Sequence, residues 1–105
     1  MRTLALLALL TAVGCSPCED SCLEQTRTFD NCLQDWELGW VDLGASSKTG
    51  FREQCISQAS AQVEGTTEGE RSLELGQCRR LARGLREATD CDGAWGVLVS
   101  YGVEP

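Results

Sequence analysis

Cys18, Cys22, Phe29, Cys32, Leu33, Trp36 and Trp40 recur at intervals of three, four and seven, while Glu24, Arg27, Asp30, Asp35 and Glu37 fall elsewhere. That spacing puts one apolar stripe on a helix and predicts a first helix over residues 17–38. Ser16 stands as its cap, Pro17 suits the first helical position, and Glu19 completes a capping box. Gly39 and Gly44 bracket its end, and residues 41–48 read as a loop.

Phe51, Cys55, Ala59 and Val63 repeat every four residues and predict a second helix over residues 50–63, with Ser47 or Thr49 as cap. Its stripe has few large apolar groups, so it depends on packing for stability. Glu64-Gly65-Thr66 breaks it. A third helix begins at a Thr67/Glu70 capping box and turns Leu75, Cys78, Leu81, Ala82, Leu85 and Ala88 to one side. Glu68, Glu70 and Glu74 come early in it and Arg79, Arg80, Arg83 and Arg86 late, as the helix dipole favours. Gly76 and Gly84 cost it about 1 kcal/mol each relative to alanine, or mark points of close packing. Beyond Asp92-Gly93, Trp95, Val97, Val99, Tyr101 and Val103 alternate with Ala94, Gly96, Leu98, Ser100 and Gly102, which predicts an extended segment. The expected fold is therefore all-α: a small disulfide-stapled helical hairpin or three-helix domain with a short extended C-terminal tail.

The N-terminus has a different pattern. Met1-Arg2 is followed by an apolar run over residues 4–13 and by Ala12-Val13-Gly14-Cys15. About ten residues at ~1.5 Å of helical rise cover only half of a bilayer's hydrocarbon, so the run reads as a signal peptide rather than a span. Thr11-Ala12-Val13-Gly14-Cys15 resembles the lipobox of bacterial lipoproteins, with Ala12 where leucine is usual. The resemblance implies removal of residues 1–14 and a single mature domain, residues 15–105. Cys15 would carry a diacylglyceryl group and an N-acyl chain. Ser16, in place of the aspartate associated with inner-membrane retention, implies the outer membrane. Buried acyl methylenes at ~0.8 kcal/mol each make such an anchor durable. Ala12 and Gly14 also suit a general signal peptidase, and cleavage at the same bond without lipid would yield a freely secreted inhibitor, toxin or effector.

Seven cysteines bear on that choice. Lipidating Cys15 leaves Cys18, Cys22, Cys32, Cys55, Cys78 and Cys91, an even set for three disulfides, whereas plain secretion strands one thiol. Zinc would want two closely spaced pairs, and only Cys18 and Cys22 are that close; three residues separate these two, where a redox motif has two. If the first and third helices lie antiparallel, facing residues have a constant sum of numbers. Cys18 then pairs with Cys91, Cys32 with Cys78, and Cys22 takes Cys55. Nine residues separate Cys22 from Cys32, which resembles half of the twin cysteine pattern of coiled-coil-helix-coiled-coil-helix proteins, but twelve separate Cys78 from Cys91. That resemblance implies a stapled helical hairpin and no function.

Composition narrows the function. The chain has 105 residues, 16 acidic against 9 basic side chains, a net charge of −7, no histidine and one lysine. Without histidine the commonest general base and zinc ligand is missing, and the acidic field opposes nucleic-acid phosphates. Asp90, Asp92 and Gly93 lack the other ligands of a calcium loop and read as a helix-ending turn. Glu68, Glu70 and Glu74 read as a helix N-terminus rather than a catalytic pair. Arg79, Arg83 and Arg86 share a helix face that could grip an anion or, more simply, form a solvated helix end that offsets the dipole and pairs with acidic neighbours; Trp36, Trp40, Trp95 and Tyr101 are the candidate aromatic anchors of a partner surface, though in so small a core such residues more often form the core itself. The expectation is an envelope protein that acts by binding or structural interaction. Its partners would be the membrane, through the lipid, and another envelope protein; no catalytic residue, cofactor, metal or nucleic acid is expected.

Overall fold

Ser16 and Pro17 open the first helix of the computed structural model, which describes residues 16–103. The leader and Cys15, with the expected cleavage and lipidation there, lie outside the described residues. Helix α1 (Pro17–Cys32) has Ser16 at its N-cap, but the serine hydroxyl makes no cap bond, so the expected box with Glu19 is not formed. The Asp20 N–H donates to the Ser16 carbonyl at 3.1 Å instead. Helical turns continue past Cys32 and close in a Schellman motif: the Leu38 N–H donates to the Leu33 carbonyl (2.9 Å) and the Glu37 N–H to the Gln34 carbonyl (3.1 Å). Glu37 takes the left-handed conformation this requires, at φ 56°.

A 3₁₀ turn (Trp40–Leu43) follows, with the Gly39 N–H donating to Asp42 Oδ2 at 2.8 Å. Helix α2 (Lys48–Glu64) is capped by Ser47, whose Oγ accepts from the Gly50 N–H at 3.1 Å. Helix α3 (Glu68–Glu87) is capped as expected by Thr67, whose hydroxyl accepts from the Glu70 N–H and donates to the Glu70 carboxylate at 2.7 Å.

The segment after Asp90 corrects the expected extended tail: it is helix α4 (Cys91–Ser100). Asp90 is its N-cap, with Oδ1 accepting from the Gly93 N–H at 2.7 Å, so the Asp-Cys-Asp-Gly stretch starts a helix rather than ending one. The alternation of large residues conceals a second set, Ala94, Val97 and Leu98, at helical spacing and turned to the core. A second Schellman close, with Gly102 at φ 75° and the Val103 N–H donating to the Leu98 carbonyl at 2.9 Å, ends α4.

The helices run up, down and up. Cys22 is bonded to Cys55, and the Asp30 carboxylate pairs with Lys48 Nζ at 3.0 Å, so numbers rise along α1 as they fall along α2. After the short turn at residues 65–67 the chain reverses again, which makes α3 parallel to α1. Facing residues on parallel helices keep a constant difference in number, and the two remaining bonds show it. They are Cys18–Cys78, which joins α1 to α3, and Cys32–Cys91, which keeps the register just past the end of α3 at the start of α4, with separations of 60 and 59. The expected pairings Cys18–Cys91 and Cys32–Cys78 are thereby corrected, because they assumed antiparallel first and third helices; Cys22–Cys55 stands. Each disulfide thus ties α1 to a different helix, at Cα separations of 4.9, 5.8 and 5.6 Å.

As the central helix, α1 is covered on several sides, and it buries Ser21, Gln25, Thr26 and Thr28 as well as its apolar stripe. Gln25 Nε2 donates to Ser21 Oγ (3.1 Å) and Thr26 Oγ1 to the Cys22 carbonyl (2.7 Å), which satisfies these groups without a long-range partner. The hydrophobic core lies toward the C-terminal end of α1, where Phe29, Leu33, Leu81, Leu85, Ala94 and Leu98 are buried together. The N-terminal half of α1 is held mainly by two disulfides. Beyond it, α3 extends: Cys78 is level with Cys18, so residues 68–77 run about 15 Å past that point at 1.5 Å per residue.

Candidate functional site

Five aromatic rings form a continuous series through the packed end of the molecule. Trp95 meets Trp36 edge to face with centroids 5.0 Å apart and planes at 68°, Trp36 meets Phe29 at 6.0 Å, Phe29 meets Phe51 at 5.3 Å, and Phe51 meets Trp40 at 5.7 Å. Phe29, 1% exposed, is the centre of the series, and such pairs add about 0.5–1.5 kcal/mol each beyond area burial. Trp36 and Trp40, for which the sequence left both a surface and a core role open, pack against Phe29 and Phe51 respectively and serve the core.

Trp95, at the outer end, is 38% exposed. With Trp36 and Asp92 it lines an open recess of about 470 Å³. Trp36 Nε1 is shielded from solvent and has no hydrogen-bond acceptor among the described residues, so ring packing alone sets this indole. Cys32 and Cys91, which are bonded, precede Trp36 by one helical turn and Asp92 by one residue. The disulfide therefore fixes the two walls of the recess relative to each other.

The other predicted residues are not gathered here. Tyr101 lies by α3, beside Glu74, Gln77, Cys78 and Leu81. Arg86 Nη1 donates to Asp20 Oδ2 (2.9 Å) and Glu24 Oε2 (3.2 Å), one turn apart on α1. Those hydrogen bonds, to Asp20 first and then to Glu24, hold the guanidinium above its ordinary pKa. Arg86 is thus engaged within the fold, which takes it out of the expected three-arginine anion grip; Arg79 and Arg83 are exposed. A second cavity, of about 420 Å³, lies between α1, the 3₁₀ turn and α2, over Phe29 and Phe51, with Gln25, Asp42, Gln54 and Gln58 on its walls.

Asp92 is the recess residue that the sequence reading missed, having assigned it to a turn. The usable signal was Asp90 as an N-cap, which makes Asp92 and Trp95 neighbours at i and i+3 on one helix face. Among the described residues no group of three or more acidic or cysteine side chains is arranged to hold a metal, and no helix is long and apolar enough to cross a membrane. Comparison with protein-family models, curated proteins and solved structures finds no match to this chain.

Proposed function

We propose that this chain is an exported bacterial lipoprotein, anchored in the outer membrane through Cys15, whose stapled helical domain acts by holding a partner protein in the envelope. One observation supports this above others. The three disulfides use all six cysteines from Cys18 to Cys91, so Cys15, at the end of the lipobox-like stretch, is the odd one of seven. Stable cross-links also suit an oxidising compartment outside the cytosol. Only Ser16 separates Cys15 from α1, which would couple the anchor closely to the folded domain.

Mass spectrometry of the N-terminal peptide from the native envelope tests the reading. The expected peptide begins at Cys15 and carries a diacylglyceryl group with an additional acyl chain, and Cys15→Ala abolishes both the adduct and membrane fractionation. An unmodified Cys15 terminus on soluble protein would overturn it in favour of free secretion.

A further inference from the structure

We propose that Trp36, Trp95 and Asp92 form a recognition corner for a lysine or arginine side chain carried by a basic segment of a partner protein. The two indoles meet edge to face at 68° with centroids 5.0 Å apart, so the edge of one covers part of the face of the other and a cation would stack on the indole face left open beside that contact. Indole faces carry the negative lobe of the ring quadrupole and attract cations, more strongly as the cation is desolvated. Asp92 supplies a full negative charge on a further side of the same recess, from the helix that carries Trp95. The net charge of −7 gives a field of the same sign, which draws a basic partner toward the molecule.

Shape selects the source of the cation. Among the described residues three side chains line the open recess, so a free small cation there would leave much of its surface in water, unlike a ligand in an enclosing pocket. A protein chain brings neighbours with it. Val99, 44% exposed, lies one helical turn beyond Trp95, and apolar residues flanking the inserted cation would cover both. The corner is also preorganised: the Cys32–Cys91 bond joins the segment bearing Trp36 to the start of α4, so little ordering remains for the partner to impose. This inference does not depend on lipidation of Cys15.

The test is calorimetric titration of the purified, oxidised protein with a blocked peptide that alternates lysine and leucine, at about 150 mM salt to suppress long-range attraction. The expected result is saturable binding that Trp95→Ala and Asp92→Asn each weaken by about tenfold, within the range of one partly desolvated cation–π or charge contact. Asp92 is exposed, so its asparagine variant, with an unchanged circular dichroism spectrum, carries the test if Trp95→Ala misfolds. Equal affinity of the wild type and Asp92→Asn overturns the proposal. So does equally tight binding of a peptide with norleucine in place of lysine, or saturation by tetramethylammonium chloride at the peptide's own affinity.

Discussion

Gly84 of α3 lies against Val97 of α4 so closely that a methyl group built on the glycine would come within 2.8 Å of Val97 Cγ1. The crossing of these two helices is set by a missing side chain. Valine is stiff about χ1 in a helix and has little room to yield. Gly84→Ala should therefore destabilise the protein by about 1–2 kcal/mol, because overpacking of about 1–3 kcal/mol exceeds the gain of up to about 1 kcal/mol in helix propensity. Adding Val97→Ala should recover part of the loss in a double-mutant cycle followed by denaturant unfolding. Gly76, another glycine of α3, differs: a methyl there would meet only the Arg80 guanidinium, at 3.5 Å. Gly76→Ala should stabilise by about 0.5–1 kcal/mol.

The two Schellman closes offer a paired test. Glu37 and Gly102 hold the same position in their motifs, at φ 56° and 75°, and only one of them is glycine. Substitutions should have opposite signs: Glu37→Gly should stabilise and Gly102→Ala destabilise, each by about 1 kcal/mol. Melting temperatures of the two variants against wild type decide the matter, and a loss of stability in Glu37→Gly would show that its side chain contributes more than its backbone strain costs.

Peptide mapping of the non-reduced protein should recover Cys18 with Cys78, Cys22 with Cys55 and Cys32 with Cys91. A Cys18–Cys91 peptide would contradict the parallel arrangement of α1 and α3. Each bond closes a loop of 33 to 60 residues, worth about 4 kcal/mol in the chain-entropy treatment, although the loops overlap and the contributions do not add. Their loss should differ in place. No residue of α2 is fully buried, so replacing Cys22 and Cys55 by serine should raise hydrogen exchange and proteolysis throughout residues 48–64 while α1 and α3 stay protected.

Phe29→Ala should cost about 3–5 kcal/mol, since its ring contacts both Trp36 and Phe51 at the centre of the core. Leu73→Ser and Val41→Ser, at sites 70% and 78% exposed, should stay within about 0.5 kcal/mol of wild type. Chemical unfolding of the oxidised variants measures all three.

The helices starting at Pro17, near Gly50 and after Thr67 were legible because glycine breaks and three-to-four spacing agree with one another, although the first ends at Cys32 rather than at residue 38 and its serine cap is not formed. Direction was not legible. Whether α3 runs with or against α1 depends on how many reversals the loops make, and the short turn after α2 forces the second one. Helix α4 was hidden because its residues satisfy a two-residue and a helical repeat at once, and only burial of Ala94, Val97 and Leu98 on one side separates them. The recess depended on that missed helix. Its tryptophans could be named from composition, but Asp92 joins them only when α4 is wound.

The overhang of α3 beyond Cys18 has a mechanical consequence. About 15 Å of the α2–α3 hairpin projects past the Cys18–Cys78 bond, beyond the reach of the staples to α1. That free end, with Glu64, Glu68 and Glu70 exposed at its tip, is where the fold should open first and where a protease should enter.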